Sequence, residues 1–210
     1  MLVNEVKQIV QQLAAKEGIG GYLQEEEYSN YCNLAQLRAI NDIVKMLDYN
    51  QKAIDLLADV IKVETLNKTG TIFAFPTDYY RFVAAAAKFS DIMTPCDLIG
   101  KSERRARLGS RIVQPTPDFP VISGDATGFT VDPFLVTRIE LSYVFLPEAP
   151  EWVSEPDSLP PVFDPGLSTD FTLSAKFKNY LVKEIANMFG IETRDPNLQQ
   201  ATLQNIIEAI

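Results

Sequence analysis

The chain contains no histidine. That absence removes the side chain whose ordinary pKa lies closest to neutrality, and with it the commonest general base, the usual nucleophile–base triads and most zinc sites. An enzyme made from this sequence would have to work through carboxylates, lysine or cysteine. Cysteine is scarce too: only Cys32 and Cys96 occur, far apart and without metal-ligand spacing. They read as buried free thiols of a reducing compartment, with a single disulfide as the other option. No run reaches the roughly 18 apolar residues of a membrane span. The amino terminus MLVNEVKQIVQQLAAKEG is amphipathic and charged throughout, where a signal peptide would be apolar. These features predict a protein made and kept in the cytosol, with no membrane contact.

Other chemical signatures are missing. Neither a nucleotide-binding loop nor a CxxC pair occurs. Gly18-Ile19-Gly20-Gly21 follows a helical pattern instead of a strand, so it reads as a helix stop and turn. Ser123-Gly124-Asp125 has no glycine two residues before the serine and no helix after it, which excludes a nucleophile elbow. The acid pairs Asp48 with Asp55 and Asp125 with Asp132 fall in turns or at helix ends, where aspartate serves capping and turn geometry. The expectation is a protein that is not an enzyme and holds no metal or cofactor.

Positive charge is the minority: 19 lysines and arginines face 28 acids, for a net charge of −9 and a pI near 4.6. Such a molecule repels phosphate backbones as a whole. The exception is the run Lys101, Arg104, Arg105, Arg107 and Arg111. It reads as a solvated helix face paired with nearby acids; in the alternative reading, Arg104, Arg105 and Arg107 meet a polyanion or an acidic partner.

What is present describes one domain of 210 residues, 46% hydrophobic and 22% charged. Its most informative stretch is 119–147, FPVISGDATGFTVDPFLVTRIELSYVFLP. Alternating residues predict strands at 121–123, 129–132 and 137–145, joined by the glycine turn Gly124-Asp125-Ala126-Thr127-Gly128 and stopped by Pro133 and Pro147. Before it, apolar residues at helical spacing predict helices over 2–13, 25–49 and 51–60. Period two then begins: 61–65 and 71–75 form a predicted hairpin around Asn67-Lys68-Thr69-Gly70. Thr77 or Asp78 would cap one helical turn holding Tyr79 and Tyr80, and 82–89, whose pattern fits a buried strand or a helix, reads as a strand joining the same sheet. A polar helix occupies 101–108, and 114–120 is an extended proline-rich linker. Six prolines between 147 and 165 predict a long loop or arm, a kind of segment usually ordered by a partner. Two helices close the chain, one ending at Gly190 and one starting at Asp195-Pro196.

The predicted fold class is therefore α+β. The N- and C-terminal helices form a bundle, a central antiparallel hairpin and meander project from it, and a proline-rich arm extends away. The parts are 1–60 helical, 61–147 β-rich, 148–170 arm and 171–210 helical, within one structural domain. Tyr79, Tyr80, Trp152 and Phe163 sit at element ends or in the proline-rich loop, and Ile206 and Ile207 line the last helix. They are candidate protein-contact anchors, with cover for the domain's own core as the equal alternative.

The order of parts carries a resemblance. A helical group is followed by the run Phe75-Pro76-Thr77-Asp78-Tyr79-Tyr80-Arg81, then by a proline-rich approach at Pro115, Pro117 and Pro120. A glycine-turn meander ending Val131-Asp132-Pro133 comes next, then a strand with Leu141-Ser142-Tyr143 running to Pro147, then terminal helices. This order resembles the head-to-tail adaptor proteins of tailed bacteriophages, the tubular or gatekeeper kind. The resemblance implies a virion structural protein assembled in the host cytoplasm, forming a ring of about a dozen copies of itself. That ring would meet the portal protein on one side and tail proteins on the other, with genome DNA passing transiently through the bore. It implies no catalytic residues. An acidic chain suits a conduit that must not grip a passing polyanion. The alternatives are a tail-completion or tail-tube protein of the virion, and a cytosolic, non-catalytic ligand-binding domain with 84–87 lining its pocket.

Overall fold

The computed structural model of the chain describes residues 1–16, 23–46, 55–158 and 160–190. They form two compact units: Met1–Val60 with Pro147–Ile210, and the intervening Ile61–Leu146.

The first unit is helical. Helix α1 (Val3–Lys16) buries Val3, Val6, Val10 and Ala14, one face at spacings of three and four. Helix α2 (Glu25–Val44) opens without a side-chain cap at Gln24, but carries Glu25, Glu26 and Glu27 in its first turn, where the helix dipole favours negative charge. Its buried residues, Tyr28, Cys32, Ala35, Gln36, Ala39, Ile40, Ile43 and Val44, form a wide stripe that takes in Gln36 and Ala39 and leaves Leu34, expected on it, 45% exposed. The carboxyl-terminal helix, which becomes α4 (Lys178–Met188) once the second unit is counted, buries Tyr180, Leu181, Val182, Ile185 and Ala186 and packs against both α1 and α2. Of the expected third helix, only helical residues Asp55 and Leu56 and a 3-10 turn, Ala58–Val60, fall within the described residues. The glycine stop at 18–21 and the last helix from Asp195 lie outside them.

The segment 147–170 corrects the predicted arm. It is closed on itself by two antiparallel bridges, Glu151 with Thr169 and Ser154 with Phe163, and it is stitched to the helices of its own unit. Ser29 Oγ accepts the Trp152 backbone N–H at 3.1 Å, and Glu25 Oε2 accepts that of Ser154 at 3.3 Å. Gln36, fully buried, donates to the Glu148 carbonyl at 3.1 Å and accepts the Thr172 N–H at 2.9 Å. The prolines limit the segment's freedom, while polar side chains of α2 satisfy backbone groups that no regular strand or helix does.

The second unit also departs from the predicted fold class: its strands form two four-stranded sheets around a core of their own, not a projection from a helical bundle. The first sheet has the order β1-β8-β3-β4 and is antiparallel throughout. Its strands are β1 (Ile61–Asn67), β3 (Tyr79–Phe89), β4 (Ile92–Pro95) and β8 (Arg138–Phe145). The second has the order β2-β7-β6-β5, from β2 (Phe73–Ala74), β5 (Asp97–Leu98), β6 (Val121–Gly124) and β7 (Gly128–Asp132). Here β5 runs parallel to β6, and the crossover between them holds helix α3 (Lys101–Gly109). Leu66, Ala85, Ala87, Ile139, Leu141 and Tyr143 from the first sheet meet Phe73, Ile122, Phe129 and Val131 from the second in one buried cluster.

Two local expectations fail for the same reason, long-range pairing. The hairpin predicted over 61–75 reduces to a tight turn bridging Thr69 and Ile72, with Gly70 at φ +65° supplying the left-handed conformation. Beyond that turn β1 pairs with β8 and β2 with β7, in different sheets. Tyr79 and Tyr80 begin β3 instead of forming a helical turn, because β8 offers the edge on which Tyr79 pairs with Phe145. Gly128 fixes the β2–β7 contact: a Cβ there would lie 2.3 Å from the Phe73 carbonyl oxygen. Only a residue without a side chain permits that approach.

Candidate functional site

Two of the motifs that carried the resemblance, 75–81 and 141–143, meet in space. Strand β8 presents Tyr143 toward the core, 1% exposed, and its hydroxyl reaches Asp78 Oδ1 at 2.8 Å and Glu64 Oε2 at 3.1 Å. Asp78 also pairs with the Lys62 ammonium, and its carbonyl accepts the Leu146 N–H at 2.8 Å. The ring of Tyr79 stacks on Phe75 at 4.6 Å and stands edge-on to Phe129 at 5.6 Å. The Phe75–Arg81 run is thus an aromatic and polar clasp on the end of β8. The hydrogen bonds from Lys62 and Tyr143 hold the Asp78 carboxyl below the usual range. Burial, then the bonds to Asp78 and Glu64, push the Tyr143 phenol well above its ordinary value. A phenol held protonated between two carboxylates, only one of which its single proton can serve fully, ties β8 to β1 and to the turn before β3, and is a poor base. The open hollow beside it, about 530 Å³, is lined by Lys62, Glu64, Phe75, Asp78 and Tyr143 among others.

A second constellation belongs to the helical unit. Trp152 is 5% exposed; its indole N–H donates to Asn4 Oδ1 at 3.0 Å, and its ring lies 5.9 Å from that of Phe163, which is half-buried. Lys7 of α1 is buried with its Nζ 2.9 Å from the centre of the Trp152 ring and 5.5 Å from that of Tyr28. Burial pulls the Lys7 ammonium down to about 8, although Glu25 opposes the shift. Burial likewise pushes the Cys32 thiol up to about 12 and the half-buried Cys96 thiol up to about 11, so both are unreactive thiols at neutral pH. A groove of about 400 Å³ alongside is lined by Glu25, Glu26, Asn30, Asn33, Glu151 and Trp152 among others.

The basic run is divided by its helix. Arg104 Nε sits 2.5 Å from Oδ2 of Asp132, a carboxylate 5% exposed at the end of β7. Arg107 bonds Glu103 at 2.7 Å and lies 3.6 Å from Asp97. Lys101, Arg105 and Arg111 are exposed. Two of the three named arginines are therefore internal ties, and Arg105 is left facing solvent. Asp125, the other proposed acid partner, accepts the Thr127 N–H at 2.8 Å and so shapes its own turn. Asp48 lies outside the described residues, as do Ile206 and Ile207. Tyr79 belongs to the sheet core, Trp152 to the helical core, and Tyr80 is half-buried.

The alanine run is divided between the two faces of β3. Ala85 and Ala87 face the core, while Ala84 is exposed and Ala86 half-exposed on the other side of β3. Among the described residues, no group of three or more His, Cys, Asp or Glu could hold a metal ion, and no helix is long and apolar enough to cross a membrane. The sequence reasoning passed over Lys62, Glu64 and the buried Lys7. For Lys7 a signal existed: it falls between Val3 and Val10 on the apolar stripe of α1. Comparison with protein-family models and with curated proteins finds no match for the chain.

Proposed function

We propose that this chain is a virion structural protein, a head-to-tail adaptor subunit that works through surfaces held by copies of itself and by portal and tail proteins. The observation that carries the reading is where exposed apolar side chains fall. Of fifteen large exposed hydrophobics among the described residues, eleven lie between 61 and 146, and they concentrate in loops. Ile112 is 93% exposed, Leu135 81% and Phe119 76%. Apolar residues gathered in this way on one unit mark protein contact more than chance exposure does. A shallow hollow of about 720 Å³ joins several of the same elements, lined by Phe89, Pro117, Leu135 and Arg138 among others. The contact surface in this reading is the sheet unit's loops, with 147–170 serving its own helices. Mass spectrometry of purified particles of the phage concerned tests it: the expected result is this chain at ring stoichiometry beside the portal. Particles that lack it would end the proposal.

A further inference from the structure

Strand β1 is an outer strand of its sheet. One edge is paired without interruption to β8, from Ile61 opposite Val144 to Asn67 opposite Arg138. Four consecutive residues, Lys62 to Thr65, are exposed, with Val63 at 61%. Outer strands are normally shortened, broken by proline or bulged, so that their unpaired N–H and C=O groups do not recruit another chain. The opposite edge follows that rule: β4 has four residues and ends in Pro95. β1 has seven residues, no proline and no irregularity.

The side chains of β1 also select a partner. Around Val63 the sequence reads Ile61-Lys62-Val63-Glu64-Thr65. Laid antiparallel against the same segment of a second copy, with Val63 opposite Val63, each Lys62 faces Glu64 of the other strand and each Ile61 faces Thr65. Opposite charges and β-branched pairs directly across are the favourable combinations in a sheet. Each pair joins residues of the same parity, so backbone groups pointing away from β8 on one strand meet those on the other. A slip of two residues sets Lys62 opposite Lys62, or Glu64 opposite Glu64, so the charges also reject the neighbouring registers. Lys62 and Glu64 already touch Asp78 and Tyr143 in their own chain, but an ammonium has three donors and a carboxylate several acceptor positions, which leaves capacity for a second partner.

We infer that β1 is a homodimerisation edge: two copies pair through residues 61–65 about a two-fold axis at Val63, merging two four-stranded sheets into one of eight. This contact is independent of the adaptor reading, because an isologous pair is not a ring interface. Five residue pairs make a contact smaller than the roughly 1,200 Å² of a stable interface. The dimer is therefore weak and concentration-dependent.

Sedimentation velocity of the full chain over rising concentration tests it. The expected result is a reversible monomer–dimer equilibrium. Lys62→Glu alone, or Glu64→Lys alone, places like charges across the axis and should weaken the dimer by about tenfold or more. The double exchange Lys62→Glu with Glu64→Lys restores the complementarity and should recover the dimer, which separates a lost contact from a damaged fold. Val63→Cys under mild oxidation should give a disulfide-linked dimer, since facing Cβ atoms lie roughly 4.5–5.5 Å apart across such a pair. The parent chain, with its own two cysteines, serves as the blank. A chain that stays monomeric throughout overturns the inference. So does a dimer that all variants form equally, or a double exchange no better than either single change.

Discussion

Residues 1–60 and 147–210 together hold nine basic and nineteen acidic side chains, whereas 61–146 hold ten and nine. The helical unit thus carries the whole net charge of the chain, and the sheet unit is close to neutral. Exposed apolar residues divide the other way, eleven on the sheet unit against four on the helical one among the described residues. The helical unit spends its aromatics internally, with Tyr28 and Trp152 enclosing Lys7. Self-repulsion keeps such a surface solitary, while a neutral surface studded with isoleucine, leucine and phenylalanine invites contact. One part of the molecule keeps most of its large apolar side chains covered, and the other leaves eleven of them exposed among the described residues.

The comparison can be broken most forcefully at Gly128. Gly128→Val drives a side chain into the Phe73 carbonyl and should cost roughly 4 kcal/mol or more, abolishing the sheet unit's ordered packing. Trp152, the single tryptophan, reports the helical unit alone. Its fluorescence transition should survive in this variant while the tyrosine near-ultraviolet dichroism of the sheets collapses.

Arg104→Ala should come next. It strands the buried Asp132 carboxylate and should destabilise the sheet unit by roughly 2–3 kcal/mol, somewhat less than for a fully enclosed pair because Arg104 retains solvent contact. The neighbouring Arg105→Ala should move stability by no more than about 0.5 kcal/mol. Denaturant melts of the two variants, side by side, measure the difference.

Lys7→Met sharpens the contrast from the helical side, because it should stabilise. The folded-state pKa near 8 lies below the ordinary 10.5, so burying the charged form is a cost present in full below pH 8. Removing it should raise stability near pH 7 by roughly 1–3 kcal/mol. In the parent chain that cost fades as pH rises from 8 toward 10.5, so the gap between parent and variant should close over that window in Trp152-detected unfolding. Cys32, with its raised pKa, acts in the opposite sense above pH 9, and more strongly in the variant, where Lys7 no longer draws that pKa down.

Asp78→Asn should destabilise less than Gly128→Val or Arg104→Ala, by about 1 kcal/mol at neutral pH. The lowered folded pKa of Asp78 contributes stability above the ordinary carboxylate value of 3.8 and loses it as pH falls through the lower folded value. Acid titration below about pH 4 should therefore destabilise the sheet unit more steeply in the parent than in the variant.

Much of the element inventory was legible in the sequence, and little of the pairing. The strands predicted at 121–123, 129–132 and 137–145 appear within a residue or two of β6, β7 and β8, because alternation and glycine or proline stops are local signals. Period two says that 61–65 is a strand but not which strand it joins, and the observed β1 pairs with 138–144, far along the chain. The neighbouring Gly70 turn made a hairpin the obvious inference, and the two-sheet core corrected it. Trp152 and Tyr79 were ambiguous for a similar reason: an aromatic at the end of an element reads the same whether it faces a neighbour or its own core. The Arg104–Asp132 tie joins a helix to a strand end across 28 residues, which no spacing rule anticipates.

Ile61, the first residue of the sheet unit, sits opposite Val144, two residues before its last, on an adjacent strand roughly 5 Å away. An insert whose two ends lie nearly side by side can be exchanged, lengthened or cut out and bridged by a short glycine linker. In modular terms, the sheet unit is a replaceable cartridge within an acidic helical sequence.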